Sequence, residues 1–243
     1  MRSSGSLDLR ALGGLAAVVL ALALAAWLAR GGAATLHERL ESPETAIRRA
    51  LAATPGEDVS GARADGGLRL ERLRFIDPVV RADGARAEVV AVADAYGTVK
   101  WRGLPVRLTY LGRERFTMVR CQGAGWCTQG PRLPRLAALL AVLSRRADAL
   151  DGGDADVYRE LIADDYRGAD GGKPALLRRL AADLGAAPRA RFVPIAWQVR
   201  IERETAQVGE DYEIGVGVGP LRRLRARLDL REDGGRWRIT GGL

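Results

Sequence analysis

The chain has 243 residues, 47% of them hydrophobic, which is ample for one or two domains with cores of their own. Its formal charge is +8, but residues 1–30, 31–132 and 133–243 carry +2, +4 and +2 with both signs interspersed, which argues against the one-sided basic face of a nucleic-acid binder. One histidine (His37) and two cysteines leave too few ligands for a four-coordinate structural zinc site.

The first predicted element is the uncharged stretch Ala11–Ala29, bounded by Arg10 and Arg30. As a helix, its nineteen residues rise about 28 Å, close to the ~30 Å hydrocarbon core of a bilayer. Its length, and Trp27 near its end, favour an uncleaved signal anchor. The alternative is a cleaved signal peptide, with Gly32-Ala33-Ala34 or Ala23-Leu24-Ala25 as the small-x-small site and a secreted or periplasmic product. Arg2 and Arg10 lean the N-terminus to the cytoplasm and the rest of the chain outward. Cys121 and Cys127 agree: they enclose only QGAGW, whose two glycines allow a small disulfide ring suited to an oxidising compartment. Two unrelated buried thiols are the other reading.

Ser42-Pro43-Glu44 starts a helix, with Ser as N-cap, Pro at the first helical position and an acid in the first turn. Ala46, Ile47, Ala50 and Leu51 share one face. Strand signals follow from Leu68 to Cys121. Leu68 and Leu70 alternate with charged residues, then Leu73 and Phe75 take the opposite phase, which predicts a bulge near Arg72. Ala87–Tyr96, Val99–Leu111 and Arg113–Arg120 complete about four strands, with Leu111-Gly112-Arg113 as a tight connection. Residues 40–128 thus form one helix-plus-antiparallel-sheet unit after the anchor at 1–32.

QGPRLP (129–134) reads as a linker. Beyond it, Leu136, Leu139, Leu140, Leu143, Ala147 and Leu150 form an apolar helical stripe, interrupted at Asp151-Gly152-Gly153-Asp154. A second helix with Val157, Tyr158, Leu161 and Ile162 ends near Tyr166, and Pro174 opens a third, closed by Gly185. Four alternating strands follow. Ile195, Trp197, Val199 and Ile201 lie on the apolar face, as do Tyr212, Ile214, Val216 and Val218. Leu224, Ala226, Leu228 and Leu230 join them, then Trp237 and Ile239. Asp211 and Asp229 fall on the opposite, charged face, so the sheet is antiparallel and half-covered by helices.

Three helices and then a curved antiparallel sheet, with the segments DGGDADVYRELIADDY, GGKPALLRRL and GGRWRITGGL, resemble the nuclear transport factor 2-like superfamily, which includes ketosteroid-isomerase-like and polyketide-cyclase-like domains. The resemblance covers residues 133–243 and implies a cone-shaped α+β domain. Residues 40–121 resemble a reduced relative of the same cystatin-like type. A membrane anchor carrying such a domain also resembles assembly subunits of secretion systems and accessory proteins of lipid-import complexes.

Enzymes of that superfamily place acids, tyrosines or histidines inside the cone, and none carries over to a position here. What points inward is Trp197, Tyr212, Trp237 and aliphatics, with Tyr166 nearby: core packing, or the lining of an apolar ligand pocket with tyrosine hydroxyls. Gly215-x-Gly217-x-Gly219 lacks the following helix of a phosphate loop and serves strand curvature. The arginines between Arg222 and Arg231 either meet an anionic surface or pair across strands with Glu202, Glu204 or Glu213. No nucleophile motif, cofactor fingerprint or metal set occurs, so no catalytic residue is assigned. The expectation is a membrane-anchored, extracytoplasmic, non-catalytic scaffold or adaptor for protein partners. The alternative is a binder of a small apolar molecule or lipid in the cone, and after it an isomerase- or cyclase-like enzyme.

Overall fold

The computed structural model describes residues 25–26, 41–52, 67–121, 125–169, 171–186, 190–216 and 219–242. All of the 11–29 segment except Ala25 and Ala26 lies outside them, as do His37, Gly217 and Val218. Among the described residues, no helix is long and apolar enough to cross a membrane.

Helix α1 (Pro43–Ala52) begins where the Ser42 hydroxyl accepts the Thr45 N–H at 3.3 Å, as an N-cap does. It is followed by a meander of three long strands, β1 (Leu68–Asp83), β2 (Arg86–Trp101) and β3 (Leu104–Arg120). The predicted bulge is present between Leu70 and Arg72, and there the β1 backbone comes so close to Gly97 that a Cβ would sit 2.2 Å from the Arg69 carbonyl oxygen. Short β4 (Trp126–Gln129) pairs with the end of β3, and the Cys121–Cys127 disulfide closes that hairpin across a Cα–Cα distance of 5.7 Å.

The predicted break at Leu111-Gly112-Arg113 does not exist: β3 runs straight through it. The turn is Arg102-Gly103, both at positive φ (48° and 82°), a two-residue geometry that matches strand twist. Gly112 has a different purpose. The Tyr110 ring folds over it, and a Cβ there would lie 2.4 Å from the phenol oxygen.

One face of β2 and β3 carries two cores in tandem. Ala87, Val89, Ala91, Phe116 and Met118 pack under Ile47 and Leu51 of α1, with Trp126 of β4. Ala93, Ala95, Val99, Val106, Leu108 and Tyr110 pack under the leucines of α2 (Pro134–Gly152). Helix α2 ends on Gly153 at φ 69°, and α3 (Ala155–Leu161) starts with the Asp154 carboxylate accepting the Asp156 and Val157 N–H groups. The second helix therefore stops at Leu161, not near Tyr166. Residues 162–168 form a strand, β5 (Ile162–Gly168), followed by β6 (Gly171–Gly172) and α4 (Lys173–Ala186).

The remaining strands are β7 (Ala190–Glu202), β8 (Thr205–Val216), β9 (Arg222–Asp233) and β10 (Arg236–Gly241). The sheet order is β1-β2-β3-β7-β8-β9-β10-β5-β6, so one ten-stranded sheet runs through both predicted units. It is mixed, not purely antiparallel: β3 pairs in parallel with β7, and β10 with β5. These pairings join segments far apart in the chain, and local alternation carries no trace of them.

Arg135 fills the gap where β7 has left β3. Its guanidinium donates to the Arg113 and Arg203 carbonyls and to Glu232, and it stacks on Trp237 at 5.3 Å. In β7 a bulge between Pro194 and Ala196 leaves Ile195 only half-buried. In β9 the inward run starts at Leu228, whereas Leu224 is exposed at the sheet margin beside Tyr212. Four of the β9 arginines are paired, but with different acids from those expected: Arg223 and Arg225 with Asp211, Arg227 with Asp229, and Arg231 with Asp165.

Candidate binding cleft

The interior of the C-terminal half contains charge. Arg146 lies on the apolar stripe of α2, one turn from Leu143 and Leu150, and is 3% exposed. Glu210, at the inward phase of β8 with Ala206 and Val208, is 1% exposed. The two form a buried ion pair through Nη1 and Oε2. The other carboxylate oxygen accepts the Trp197 indole N–H at 2.9 Å. Arg146 Nε donates to the Tyr158 hydroxyl at 3.4 Å, and its guanidinium lies over the rings of Phe192 (5.5 Å) and Tyr158 (5.9 Å). Desolvation opposes the Arg146 charge, but Glu210 and Tyr158 outweigh it and hold the guanidinium pKa above its ordinary value.

The strand acids were expected on the charged face. Asp211 does lie there, nearly buried under Arg223 and Arg225, whereas Glu210 is inside. Two signals in the sequence mark the pair: an arginine on an apolar helical stripe, and a glutamate in phase with Val208 and Tyr212.

Above this floor opens a cavity of about 390 Å³, lined by Arg146, Tyr158, Tyr212, Leu176 and Leu180, with Arg179 and Asp183 of α4, residues 225–227 of β9 and Gly242 completing its wall. The volume lies within the range of small-molecule sites. Tyr212 stacks on Phe192 with centroids 4.8 Å apart and planes at 26°. Burial raises the Tyr212 phenol pKa against the opposing effect of Arg146, and Tyr212 lines the cavity. Glu210 does not line the cavity: the guanidinium stands in front of it, and both its oxygens are engaged.

The four aromatics predicted to surround a pocket are not brought together. Tyr212 lines the cleft, and Trp197 lies beneath its floor, fully buried. Trp237 sits beside α2 in a separate groove, and Tyr166 packs in the core with its ring over Gly168. Among the described residues, no three carboxylate, histidine or cysteine side chains converge where a metal ion would sit.

No protein-family model matches the chain, and no curated protein matches it. Among solved structures, it is similar to a protein of unknown function with a cystatin-like fold from Nostoc punctiforme, at 18% identity and a TM-score of 0.39, over 44% of this chain and 86% of that one. A nuclear transport factor 2-like protein of unknown function from Pseudomonas putida matches at 19% identity and a TM-score of 0.41, over 44% and 82%. A proposed ketosteroid isomerase from Shewanella frigidimarina matches at 18% and 0.39, over 43% and 92%.

Proposed function

We propose that the chain is a non-catalytic binding protein, held at a membrane by residues 11–29 with its folded part outside the cytoplasm, and that the cone cleft takes a small, mostly apolar, uncharged molecule. The observation that carries the ligand site is a cavity in which Leu176, Leu180 and two phenols stand over a floor where Arg146 is already neutralised by Glu210, with Arg179, Asp183, Arg225 and Arg227 completing the lining. A carboxylate held by two donors behind a guanidinium has no open path to a substrate proton, which favours binding over acid–base chemistry. Outward placement is supported by the apolar segment and by the Cys121–Cys127 disulfide.

Native mass spectrometry of the full chain, extracted in mild detergent, should show a bound small molecule. Leu180→Trp, at a half-buried position on the cleft wall, should remove it while unfolding stays cooperative; a bare mass in the unaltered chain overturns the ligand site. Placement is checked separately. A phosphatase fused after Leu243 should be active, and an inactive but stable fusion would reverse the assigned orientation.

A further inference from the structure

A second concavity, of about 640 Å³, lies between α2 and the start of β10 and shares no lining residue with the cone cleft. Its floor is Ala138, Ala141, Val142, Leu161 and Trp237. Three observations converge on it. First, β5 pairs with β10 only at Ile239 and Gly241, so Arg236, Trp237 and Arg238 have no strand neighbour on that side among the described residues. The open edge is about 10 Å long at ~3.3 Å per residue. Second, the Trp237 indole N–H is buried without a hydrogen-bond partner; Trp101 and Trp126 share that state, but neither lines this groove. A buried donor left unmade is costly, and a small turn of the indole toward the groove would let an incoming carbonyl satisfy it. Third, four cations line the groove against one carboxylate. Arg145 is taken by Glu160 and Lys173 by Asp164; Arg236 and Arg238 make no ion pair among the described residues, although the Asp164 charge lies close enough to act on Arg238.

We infer that this groove docks an extended acidic peptide of a partner protein, which adds as a short strand to the open edge of β10. Main-chain hydrogen bonds supply affinity, one apolar side chain lies on the alanine-lined floor, and flanking carboxylates meet Arg236 and Arg238. The open edge favours a peptide over a lipid, because only a peptide offers alternating N–H and C=O groups at strand spacing.

Fluorescence anisotropy with labelled peptides EEVLVEE and KKVLVKK tests this on the full chain in detergent. The acidic peptide should bind saturably and the basic one should not. Arg236→Glu combined with Arg238→Glu should weaken binding by about tenfold or more. Ala141→Trp, at an exposed position that tolerates bulk, should abolish it. Methylating alternate peptide nitrogens should weaken it on one phase only, as a strand pairing requires. Leu180→Trp, on the half-buried wall of the cone cleft, should leave it unchanged, so failure here and failure of the cleft are told apart. Equal binding of both peptides, or indifference to Ala141→Trp, overturns the inference. So does displacement by decanoate with no effect of methylation, which would make the groove a site for an anionic amphiphile. A shift of the free chain from dimer to monomer in the Arg236/Arg238 variant would assign the edge to a second copy and equally overturn it.

Discussion

Replacing Glu210 by alanine should destabilise the fold by about 3–5 kcal/mol, the cost of leaving one member of a buried ion pair unpartnered. The change strands the Arg146 guanidinium, which is 3% exposed, and leaves the Trp197 indole N–H without its acceptor. Against a total of roughly 5–15 kcal/mol for a folded domain, that is a large fraction. Arg146→Ala should cost a similar amount for the mirror reason. The combined Arg146→Met and Glu210→Leu replacement removes both charges and their desolvation penalties, so it should recover most of the loss. Urea unfolding of the two single variants and the double variant measures the coupling directly. Simple additivity of the single losses would show that the pair does not act as a unit.

Each member of the pair looks like an exception in an otherwise apolar pattern, and nothing local links the two. The stripe of α2 is legible from Leu136 to Leu150, and Arg146 is easily passed over between Leu143 and Ala147. Local chemistry marks the starts of helices well. Ser42, Pro134 and Pro174 all stand where elements begin, since caps and helix-compatible φ angles are properties of a few adjacent residues. The bulge of β1 and the Cys121–Cys127 ring are legible for the same reason. Strand connections are less so. A glycine inside an alternating run marks either a turn or a close approach, and Gly112 and Gly103 are told apart only by what packs on them. The parallel seam between β3 and β7 joins residues some ninety positions apart, and nothing local encodes it. Misplacing the turn at Gly112 also hid Glu114, because it split one phase of β3 (Tyr110, Glu114, Phe116, Met118) into two strands.

Glu114 holds the start of α2 from across the sheet. It is fully buried at the junction of the two tandem cores, where α2 begins. Leu133 at the helix N-cap has no side chain able to cap, so the orphan N–H groups need an acceptor from elsewhere. Glu114 supplies it across the sheet–helix interface. One oxygen accepts the Leu136 N–H at 3.0 Å and the Tyr110 hydroxyl at 2.7 Å, and the other accepts the Arg135 N–H at 3.0 Å. Glu114→Ala should therefore cost about 2–4 kcal/mol, with two buried backbone donors and one phenol left unsatisfied. Tyr110→Phe, which removes only the phenol bond, should cost about 1 kcal/mol. Glu114→Gln keeps one acceptor oxygen but turns an amide donor toward a backbone N–H, so its loss should fall between the two. The pH dependence has a definite sign. Burial raises the carboxyl pKa above its ordinary value, although the hydrogen bonds from Tyr110, Arg135 and Leu136 oppose it. A raised folded-state pKa means that this contribution is complete below the unfolded value near 4.5 and declines as pH rises through the folded one. The stability gap between the unaltered chain and Glu114→Gln should accordingly narrow as pH is raised from 4.5. Hydrogen exchange at Arg135 and Leu136 gives the local readout, because both amides should lose protection in Glu114→Ala before the rest of α2 does. Unaltered protection there, or a total loss below about 0.5 kcal/mol, would mean that the helix start is held by packing alone.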